Sequence, residues 1–438
     1  MAAPCSRPHL LPARADVAGP LARRVADDHD RFARAGLPVP LEPYLLETYG
    51  LEVRASYAGL PLRNPWGVAS GQLSMRRAQV EAAAEAGVGF VVLKTVIAQD
   101  AGGARSMGAW AVKESRMVVE PIVGRDTSAH GWTVTWKGRG WWDSFEAYLA
   151  LVREAAAIGL ARGMVVAPSV KYHLPGPGED AWRVEEYVET TRRILDAYRA
   201  SGAVGPMPLE KDFSPTLAGS DRARRREMIL GWLTRVPGLV RGSVEAGSLR
   251  VGLKMFNSLE DEAFQLAMLT AVHGPDRPDY LVYANRLFDP DRTFAGQKGV
   301  AYGGPDLSDR NLRVLSALRQ AERADRVAGP ALEVSGTGDV HSGRMAVEYA
   351  LRGCSSVQIH TLFQLPAGQF AMKRGDKLTR ALHRLYFDPG EGLIVWLHHA
   401  AARLGLAGGE AVRWLDVAAA GAGSELQAVD LDAQAPEV

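Results

Sequence analysis

The chain has 438 residues, of which 47% are hydrophobic and 23% charged, a composition typical of a globular protein with a sizeable core. The 51 Lys and Arg against 50 Asp and Glu give a net charge of +1, which disfavours nucleic acid and anionic membranes as partners. Cys5 and Cys354 are too few for a disulfide framework or an all-cysteine iron–sulfur cluster. With neither a bilayer-spanning apolar run nor a signal peptide, we expect a cytoplasmic protein without stable membrane association.

The first 50 residues are predicted to form an N-terminal helical extension. Residues 1–20 lack a regular pattern and are expected to be a disordered or loosely docked arm, and residues 23–35 have the composition of a helix.

From residue 51 onward, short apolar strands alternate with amphipathic helices. Eight strands are predicted, at 67–70, 89–94, 164–170, 207–213, 250–256, 280–285, 331–336 and 355–360. Helices are predicted at 76–86, 145–158, 184–200, 259–272, 309–323 and 343–351. Strands of this kind are typically buried on both faces and carry function at their carboxyl ends. We therefore predict an α/β fold with a (β/α)₈ TIM barrel over residues 51–405; a doubly wound open sheet is the alternative.

Two segments depart from this alternation. Residues 102–142, after the second predicted strand, hold five of the ten tryptophans (Trp110, Trp132, Trp136, Trp141, Trp142) and are predicted to be an insertion that forms a lid or substrate wall. The alternative is that these rings only pack an enlarged loop. Residues 406–438 are predicted to be a C-terminal tail, disordered from about residue 418.

The strongest local signal follows the last two predicted strands. The seventh runs into Gly336-Thr337-Gly338-Asp339, and the eighth ends in Gln358-Ile359-His360-Thr361. In a barrel, backbone N–H groups of these two loops can bind a phosphate, because glycine lets the chain approach the anion closely. An ordinary strand-to-helix turn is the alternative for this GxG pattern.

Two lysines lie at strand ends, Lys94 after the second strand and Lys254 in the fifth. An ammonium group in a barrel interior needs an anionic or electron-rich partner. Three roles fit: a structural ion pair, donation to a reduced cofactor ring, or a Schiff-base lysine.

The end of the fourth strand reads Leu209-Glu210-Lys211-Asp212-Phe213-Ser214-Pro215-Thr216, which places three ionisable groups and a hydroxyl where barrel enzymes carry catalytic residues. Pro215 ends the strand and fixes how Ser214 is presented. A solvated strand end with a capping serine is the alternative.

Taken together, these residues make the chain from about 51 to 400 resemble the dihydroorotate dehydrogenase family of FMN-dependent (β/α)₈ flavoproteins. The similar motifs are Asn64-Pro65-Trp66-Gly67-Val68-Ala69-Ser70-Gly71, Val92-Leu93-Lys94-Thr95, Gly252-Leu253-Lys254, Asn285, Ala301-Tyr302-Gly303-Gly304-Pro305, Val334-Ser335-Gly336-Thr337-Gly338-Asp339 and Gln358-Ile359-His360-Thr361.

The resemblance implies noncovalent FMN, bound by Ala69, Ser70, Gly71, Lys94, Thr95, Lys254, Asn285, Gly303, Gly304, Gly336, Thr337, Gly338, Asp339, His360 and Thr361. It implies hydride transfer between a CH–CH group of the substrate and flavin N5. In that family the base is a Cys or Ser before a Pro on the loop after strand four, which points to Ser214. Asp212 is the nearest partner for the serine, and Lys254 completes the predicted catalytic set. No metal site is predicted.

The segments that bind substrate in that family are different here. The family motif Asn-x-Ser-Cys/Ser-Pro-Asn is replaced by Lys211–Thr216, its Gly-Met-x-Asn segment by Arg116-Met117-Val118-Val119-Glu120, and a loop serine by Gly303. These changes remove polar groups that would bind a small uracil-like acid. A divergent dihydro-ring or enoyl-like substrate is therefore expected in place of dihydroorotate.

Two other functions stay open. One is a non-redox phosphate-binding barrel enzyme that uses Lys254 or Lys94 as a Schiff-base lysine, and the other is a binding scaffold that recruits a partner through the Trp-rich segment. The sequence leaves the electron acceptor, the direction of the reaction and the oligomeric state open, a homo-oligomer included.

Overall fold

The computed structural model describes residues 8–113, 116–125, 127–137, 140–176, 178–179, 181–213, 226–257 and 261–424. Within these ranges there are 13 α-helices: α1 Gly19–Ala35, α2 Leu41–Tyr49, α3 Arg77–Ala86, α4 Phe145–Arg162, α5 Val184–Arg199, α6 Arg226–Arg241, α7 Glu262–Ala271, α8 Pro305–Arg323, α9 Gly343–Ala350, α10 Thr361–Gln364, α11 Lys377–Phe387, α12 Leu393–Arg403 and α13 Trp414–Gly423.

The same ranges hold 18 strands: β1 Leu51–Glu52, β2 Ala55–Tyr57, β3 Leu60–Leu62, β4 Trp66–Val68, β5 Phe90–Val92, β6 Val96–Ile97, β7 Arg116–Val123, β8 His130–Lys137, β9 Val165–Ala167, β10 Ser169–Lys171, β11 Met207–Asp212, β12 Leu249–Lys254, β13 Tyr280–Tyr283, β14 Leu287–Phe294, β15 Gln297–Tyr302, β16 Glu333–Thr337, β17 Cys354–Ile359 and β18 Val412–Arg413.

A curled parallel sheet forms the centre of the fold. Among the described residues its ten strands run in the order β6-β10-β11-β12-β13-β16-β17-β4-β5-β9. Each of the eight predicted strands overlaps strands of this sheet, and the third is divided by Pro168 into β9, which pairs with β5, and β10, which pairs with β11. Most positions in these strands are buried, as expected for a sheet covered on both faces.

The predicted helices are present with small shifts at their ends, and local sequence explains several of the starts. Ser144 caps α4 by accepting a hydrogen bond from the Ala147 N–H, and Ser342 caps α9 through the Met345 N–H. Pro305 occupies the first turn of α8, where its missing N–H costs nothing. The prediction did not include α6, where an internal Pro237 interrupts the helical pattern, or α2 and α10–α13.

Two antiparallel hairpins lie between elements of the central sheet. The first, β7–β8, occupies much of the Trp-rich insertion that was expected to be a loop. The second, β14–β15, precedes α8 and was not predicted; its two-residue turn has Ala295 and Gly296 at φ 50° and 77°, the geometry of a tight hairpin turn. Strand β8 contacts both β14 and β15, and the Gly303 N–H donates to Thr133 Oγ1 of β8 at 3.0 Å.

The N-terminal arm is docked from residue 8 onward, so the prediction of a disordered or loosely docked segment was wrong there. Leu10 and Leu11 are buried, and their backbone N–H groups donate to the two carboxylate oxygens of Glu348 at 3.0 and 2.9 Å. Arg352 pairs with the same carboxylate and donates to the Pro8 carbonyl. Buried charges need such partners, and the backbone of the arm supplies them.

The predicted disorder from residue 418 does not hold for residues 418–423, which are the second half of α13. Its Trp414 and Val417 are buried, and β18 just before it pairs with β1 at Leu51 and Glu52. The rest of the tail, from residue 425, lies outside the described residues, as does Cys5. No helix in the described ranges is long and apolar enough to cross a bilayer.

Candidate functional site

Two adjoining cavities open beside the carboxyl ends of the parallel strands. The first, of about 750 Å³, lies against the ends of β16 and β17, and the second, of about 980 Å³, lies against the ends of β5, β10 and β11. They share five lining residues: Ser70, Trp136, Lys254, Asn285 and Arg286. Both volumes include space that is open to solvent. Clefts of this size accommodate small molecules and cofactors.

One wall of the first cavity is the segment between β16 and α9. Gly338, Asp339 and Val340 line the cavity, and their backbone N–H groups donate to no acceptor among the described residues. The Asp339 carboxylate lies 3.3 Å from His341 Nδ1. Burial opposes the charge on the imidazole, but Asp339 raises the pKa of His341, which favours a cation beside this carboxylate. Three available amides in one loop can bind an anion.

Lys254 lies at the wall that the two cavities share. Its Nζ is 3.4 Å from Oε1 of Glu210, which is fully buried. The other oxygen of that carboxylate accepts hydrogen bonds from Tyr57 Oη (3.2 Å) and Gln358 Nε2 (2.9 Å). Tyr57 comes from the β2–β3 hairpin and stacks on Phe90. Glu210 thus holds the ammonium group in place from beneath the cavities.

The floor of the second cavity carries another ion pair. Lys171, at the end of β10, donates to Asp212 Oδ2 at 2.7 Å, and its Nζ lies 4.8 Å from the ring centre of Trp110. Burial alone would raise the pKa of Asp212, but the neighbouring ammonium groups, Lys171 first and then Lys254, lower it. Asp212 is therefore ionised at neutral pH and acts as a hydrogen-bond acceptor.

Short polar contacts fix the remaining strand ends. Ser70 Oγ lies 2.9 Å from Thr95 Oγ1, which in turn lies 3.0 Å from Ser169 Oγ. Asn285 Nδ2 donates to Asp212 Oδ1 at 3.3 Å, and the Asn285 carbonyl accepts from Asn257 Nδ2 at 2.8 Å. These contacts tie the loop after β4 to the residues after β5 and to β10, and separately tie the loop after β13 to the end of β11 and to the loop after β12.

His360, after β17, lines the first cavity as a neutral imidazole. Burial lowers its pKa to about 3, with further contributions from the positive charges of Arg286, Lys94 and Lys254. Its ring lies 5.3 Å from that of Trp136. Gly71 allows this packing, since a Cβ there would lie 2.7 Å from the imidazole.

The structure brings most of the predicted site residues together. Those lining the first cavity are Ala69, Ser70, Lys254, Asn285, Gly303, Thr337, Gly338, Asp339, His360 and Thr361, and those added by the second are Lys94, Thr95 and Asp212. Gly71, Gly304 and Gly336 do not line either cavity. A Cβ at Gly304 would lie 2.5 Å from Ile122, and one at Gly336 2.5 Å from Tyr349, so these glycines serve packing. Ser214, with Pro215 and Thr216, lies outside the described residues.

Sequence reasoning did not select Lys171 or Arg286, and it named Gln358 only as part of the motif at the end of the eighth predicted strand. Lys171 is the last residue of β10. Lys94 and Lys254 also lie at strand ends, so the same signal could have identified Lys171. Arg286 follows Asn285, and Gln358 precedes His360, but neither stands out by spacing or composition. Of the predicted insertion, Trp110, Trp132 and Trp136 line the cavities, whereas Trp141 is buried against Tyr148.

No protein-family model matches the chain, and no curated protein matches it either.

Proposed function

We propose that this chain is a cytoplasmic FMN-dependent oxidoreductase that acts on a CH–CH group of a small molecule. When bound, FMN would accept a hydride from one substrate carbon at N5, while a base of the protein takes a proton from the adjacent carbon, leaving a C=C bond.

The proposal rests on one observation: a loop with open N–H groups lines one cavity, and a wall with lysine side chains lies where that cavity adjoins the second. The open N–H groups of Gly338, Asp339 and Val340 suit the phosphate of the cofactor. Thr361 and Gly303 line the same cavity, and a Cβ at Gly303 would meet nothing closer than 3.9 Å. The three open amides of the loop are therefore the donors that suit a phosphate monoester, since the Gly303 N–H already donates to Thr133 Oγ1.

The shared wall suits the ring of the cofactor. Lys254 is held by Glu210, and Lys94 lines the neighbouring cavity. Ammonium groups at this wall would stabilise the negative charge of a reduced flavin, and Asn285 would offer a polar contact. The neutral imidazole of His360 adds no charge there.

Closure of the sheet into a (β/α)₈ barrel is part of the proposal. Two pairings support it: residues 165–167 pair with β5, whereas residues 169–171 of the same stretch pair with β11. The Leu93 N–H donates to the Ala167 carbonyl, and the Glu210 N–H to the Pro168 carbonyl. Counting residues 165–171 as one strand and β5 with β6 as another gives eight strands, with both cavities at the carboxyl end.

Ser214 remains our prediction for the base. Asp212 lies two residues before it on β11, is ionised, and lines the second cavity. An ionised carboxylate can accept the hydroxyl proton or orient the hydroxyl, which an unassisted serine needs in order to act as a base.

The Schiff-base alternative is less well supported. The Lys254 ammonium is engaged in an ion pair with the buried Glu210, 3.4 Å away, and a lysine held in an ion pair is not available as a nucleophile. Borohydride trapping of a carbonyl substrate on Lys254 or Lys94 would nevertheless favour that alternative.

The visible spectrum of the purified protein tests cofactor binding. We expect a yellow protein, or one that takes up added FMN with quenching of the flavin fluorescence. A colourless protein that binds no FMN would contradict the proposal.

Anaerobic flavin reduction by a panel of dihydro-ring compounds and saturated carboxylic acids then tests catalysis. Ser214→Ala should keep the colour and lose reduction, whereas Ser214→Cys should retain it. Unchanged reduction in the alanine variant would reject Ser214 as the base, and flavin that no compound reduces would favour a binding scaffold.

A further inference from the structure

The second cavity has an excess of positive charge. Four cationic side chains line it, Lys94, Lys171, Lys254 and Arg286, against a single carboxylate, that of Asp212. Glu210, beneath Lys254, compensates one more charge. Cationic side chains therefore outnumber carboxylates in the lining of this cavity, which favours the binding of an anion.

Arg286 differs from the three lysines in how it is held. One terminal nitrogen, Nη2, donates to Thr133 Oγ1 at 3.1 Å and to the Val134 carbonyl, and the guanidinium lies 4.5 Å from the ring centre of Trp136. Burial lowers the pKa of Arg286 to about 9, with a further contribution from Arg292. The group thus remains a cation at neutral pH, in a setting where a charge needs a counterion.

The structure supplies that counterion nowhere in its described part. No carboxylate there lies within ion-pair distance of Arg286, and its Nε and Nη1 donate to no acceptor among the described residues. Each of these two nitrogens can donate a charge-assisted hydrogen bond to a carboxylate. Strand β8 holds the guanidinium in place through Nη2, so little ordering is required on binding.

Among the described residues, the lining of this cavity offers the hydroxyls of Ser70, Thr95 and Thr135, but no unengaged, buried carboxamide that would pair with the edge of a pyrimidine. The amide of Asn285 is used within the protein: Nδ2 donates to Asp212 and to the Phe213 carbonyl, and Oδ1 accepts from the Arg286 N–H. Gln297, the other carboxamide, is exposed on β15. Aromatic rings take their place, since Trp110, Trp136 and Phe294 line the cavity from three different segments.

We propose that the second cavity binds a carboxylic acid with an apolar ring, and that Arg286 binds its carboxylate. This inference rests on the proposed function in that it places the substrate beside the cofactor cavity. On this proposal, Arg286 selects molecules that carry a carboxylate. The aromatic rings select an apolar ring over a pyrimidine.

Isothermal titration calorimetry on the purified full-length protein tests this with three probes: cinnamate, cinnamamide and orotate. We expect cinnamate to bind, the uncharged amide to bind at least about tenfold more weakly, and orotate to bind more weakly than cinnamate. An amide that binds as well as the acid would overturn the role of charge. Tighter binding of orotate, or no binding of cinnamate, would overturn the substrate class.

Variants assign the effect to its residues. Arg286→Gln should weaken cinnamate binding at least about tenfold, and Arg286→Lys less, because the charge remains without the fixed guanidinium plane. Lys298→Gln removes an exposed charge from β15, outside the cavity lining, and should leave binding unchanged. Equal affinity of Arg286→Gln and the unaltered protein would refute the assignment. If Arg286→Gln does not fold, Trp110→Leu replaces it: weaker cinnamate binding supports the ring-binding role, and unchanged binding refutes it.

The flavin spectrum, recorded on the same samples, separates the two proposals. Selective binding of cinnamate by a protein that takes up no FMN would reject the cofactor while retaining the acid site. A yellow protein without such selectivity would reject only the acid site.

Discussion

The two cavities meet at Lys254 but are lined by different kinds of groups. The first is bounded mainly by strand ends and their loops, with glycine, threonine and backbone N–H groups at its wall. The second is covered by side chains of two antiparallel hairpins, β7–β8 and β14–β15, and by Trp110, which precedes β7.

This difference separates two tasks. Backbone groups at the ends of sheet strands are held by the sheet, so they keep their position whatever side chains surround them. Side chains on hairpins that project from the sheet can be substituted without disturbing the sheet. We infer that the first cavity holds the cofactor of the proposed function, and that the second determines which substrate is bound.

Removing the positive charge of Lys254 should have the largest effect on stability and on FMN binding, because this side chain lines both cavities. Lys254→Met leaves Glu210 buried without its cation, and loss of one partner of a buried ion pair costs about 3–5 kcal/mol. We expect a fall of this order in the free energy of unfolding, measured by urea denaturation, together with weaker FMN binding.

The matched control for this variant is the double change Lys254→Met with Glu210→Gln. It removes the charge on both partners, so most of the lost stability should return while FMN binding stays weak. A single Lys254→Met variant as stable as the unaltered protein would show that the pair is not structural.

A change confined to the first cavity should have a smaller effect. Gly338 has φ +113°, and a Cβ there would lie 2.6 Å from Asn311 Nδ2 and 2.9 Å from Leu307. Gly338→Ala should therefore displace the anion-binding loop and weaken FMN binding at least about tenfold, or ~1.4 kcal/mol, in a fluorescence titration.

Gly247→Ala carries the same kind of backbone strain, at φ +80°, but no contact within 4 Å. It should lower stability slightly and leave FMN binding unchanged. Equal loss of FMN affinity in both variants would show that strain, and not the loop, is responsible. Cinnamate binding should survive in both, since the second cavity is unchanged.

The smallest expected effect is a dependence of stability on pH that leaves the second cavity untouched. Burial opposes the charge on His9, but its contacts with Asp309 (3.1 Å) and Glu348 (3.5 Å) raise its pKa to about 9. A raised pKa means that this contribution is complete below pH 6.5 and is lost as the pH rises to about 9. Glu348, with a pKa of about 2, stays ionised throughout that range.

Thermal unfolding between pH 6 and 9.5 tests this. The difference in stability between the unaltered protein and His9→Gln should shrink as the pH rises, while cinnamate affinity stays the same in both. A difference that is constant with pH would contradict the assigned protonation of His9.

Sequence reasoning succeeded where chemistry is tied to strand ends. Lys94, Lys254 and Asn285 could be placed because a short apolar strand ends next to each of them, and parallel strands bring their ends to one edge. It could not foresee that Gly304 and Gly336 pack against Ile122 and Tyr349 and line neither cavity, because a sequence does not distinguish a glycine that faces a cavity from one that faces a side chain.

The second cavity was far less predictable. The β14–β15 hairpin has Gly296 at its turn but no Asn-Gly or Asp-Gly signal, and its strands show no regular alternation of polar and apolar residues. Without that hairpin, the position of Arg286 between two hairpins could not be foreseen. The predicted base, Ser214, falls outside the described residues and stays a prediction.

The docking of the N-terminal arm has a consequence for synthesis of the chain. Leu10 and Leu11 bind Glu348, more than 300 positions later, and the Arg403 guanidinium donates to the Leu10 carbonyl at 2.9 Å. Since a ribosome delivers residues in order, Leu10 and Leu11 are made long before Glu348 and Arg403 and cannot dock until those residues have emerged. The nascent chain therefore carries this segment undocked while the residues between them are translated.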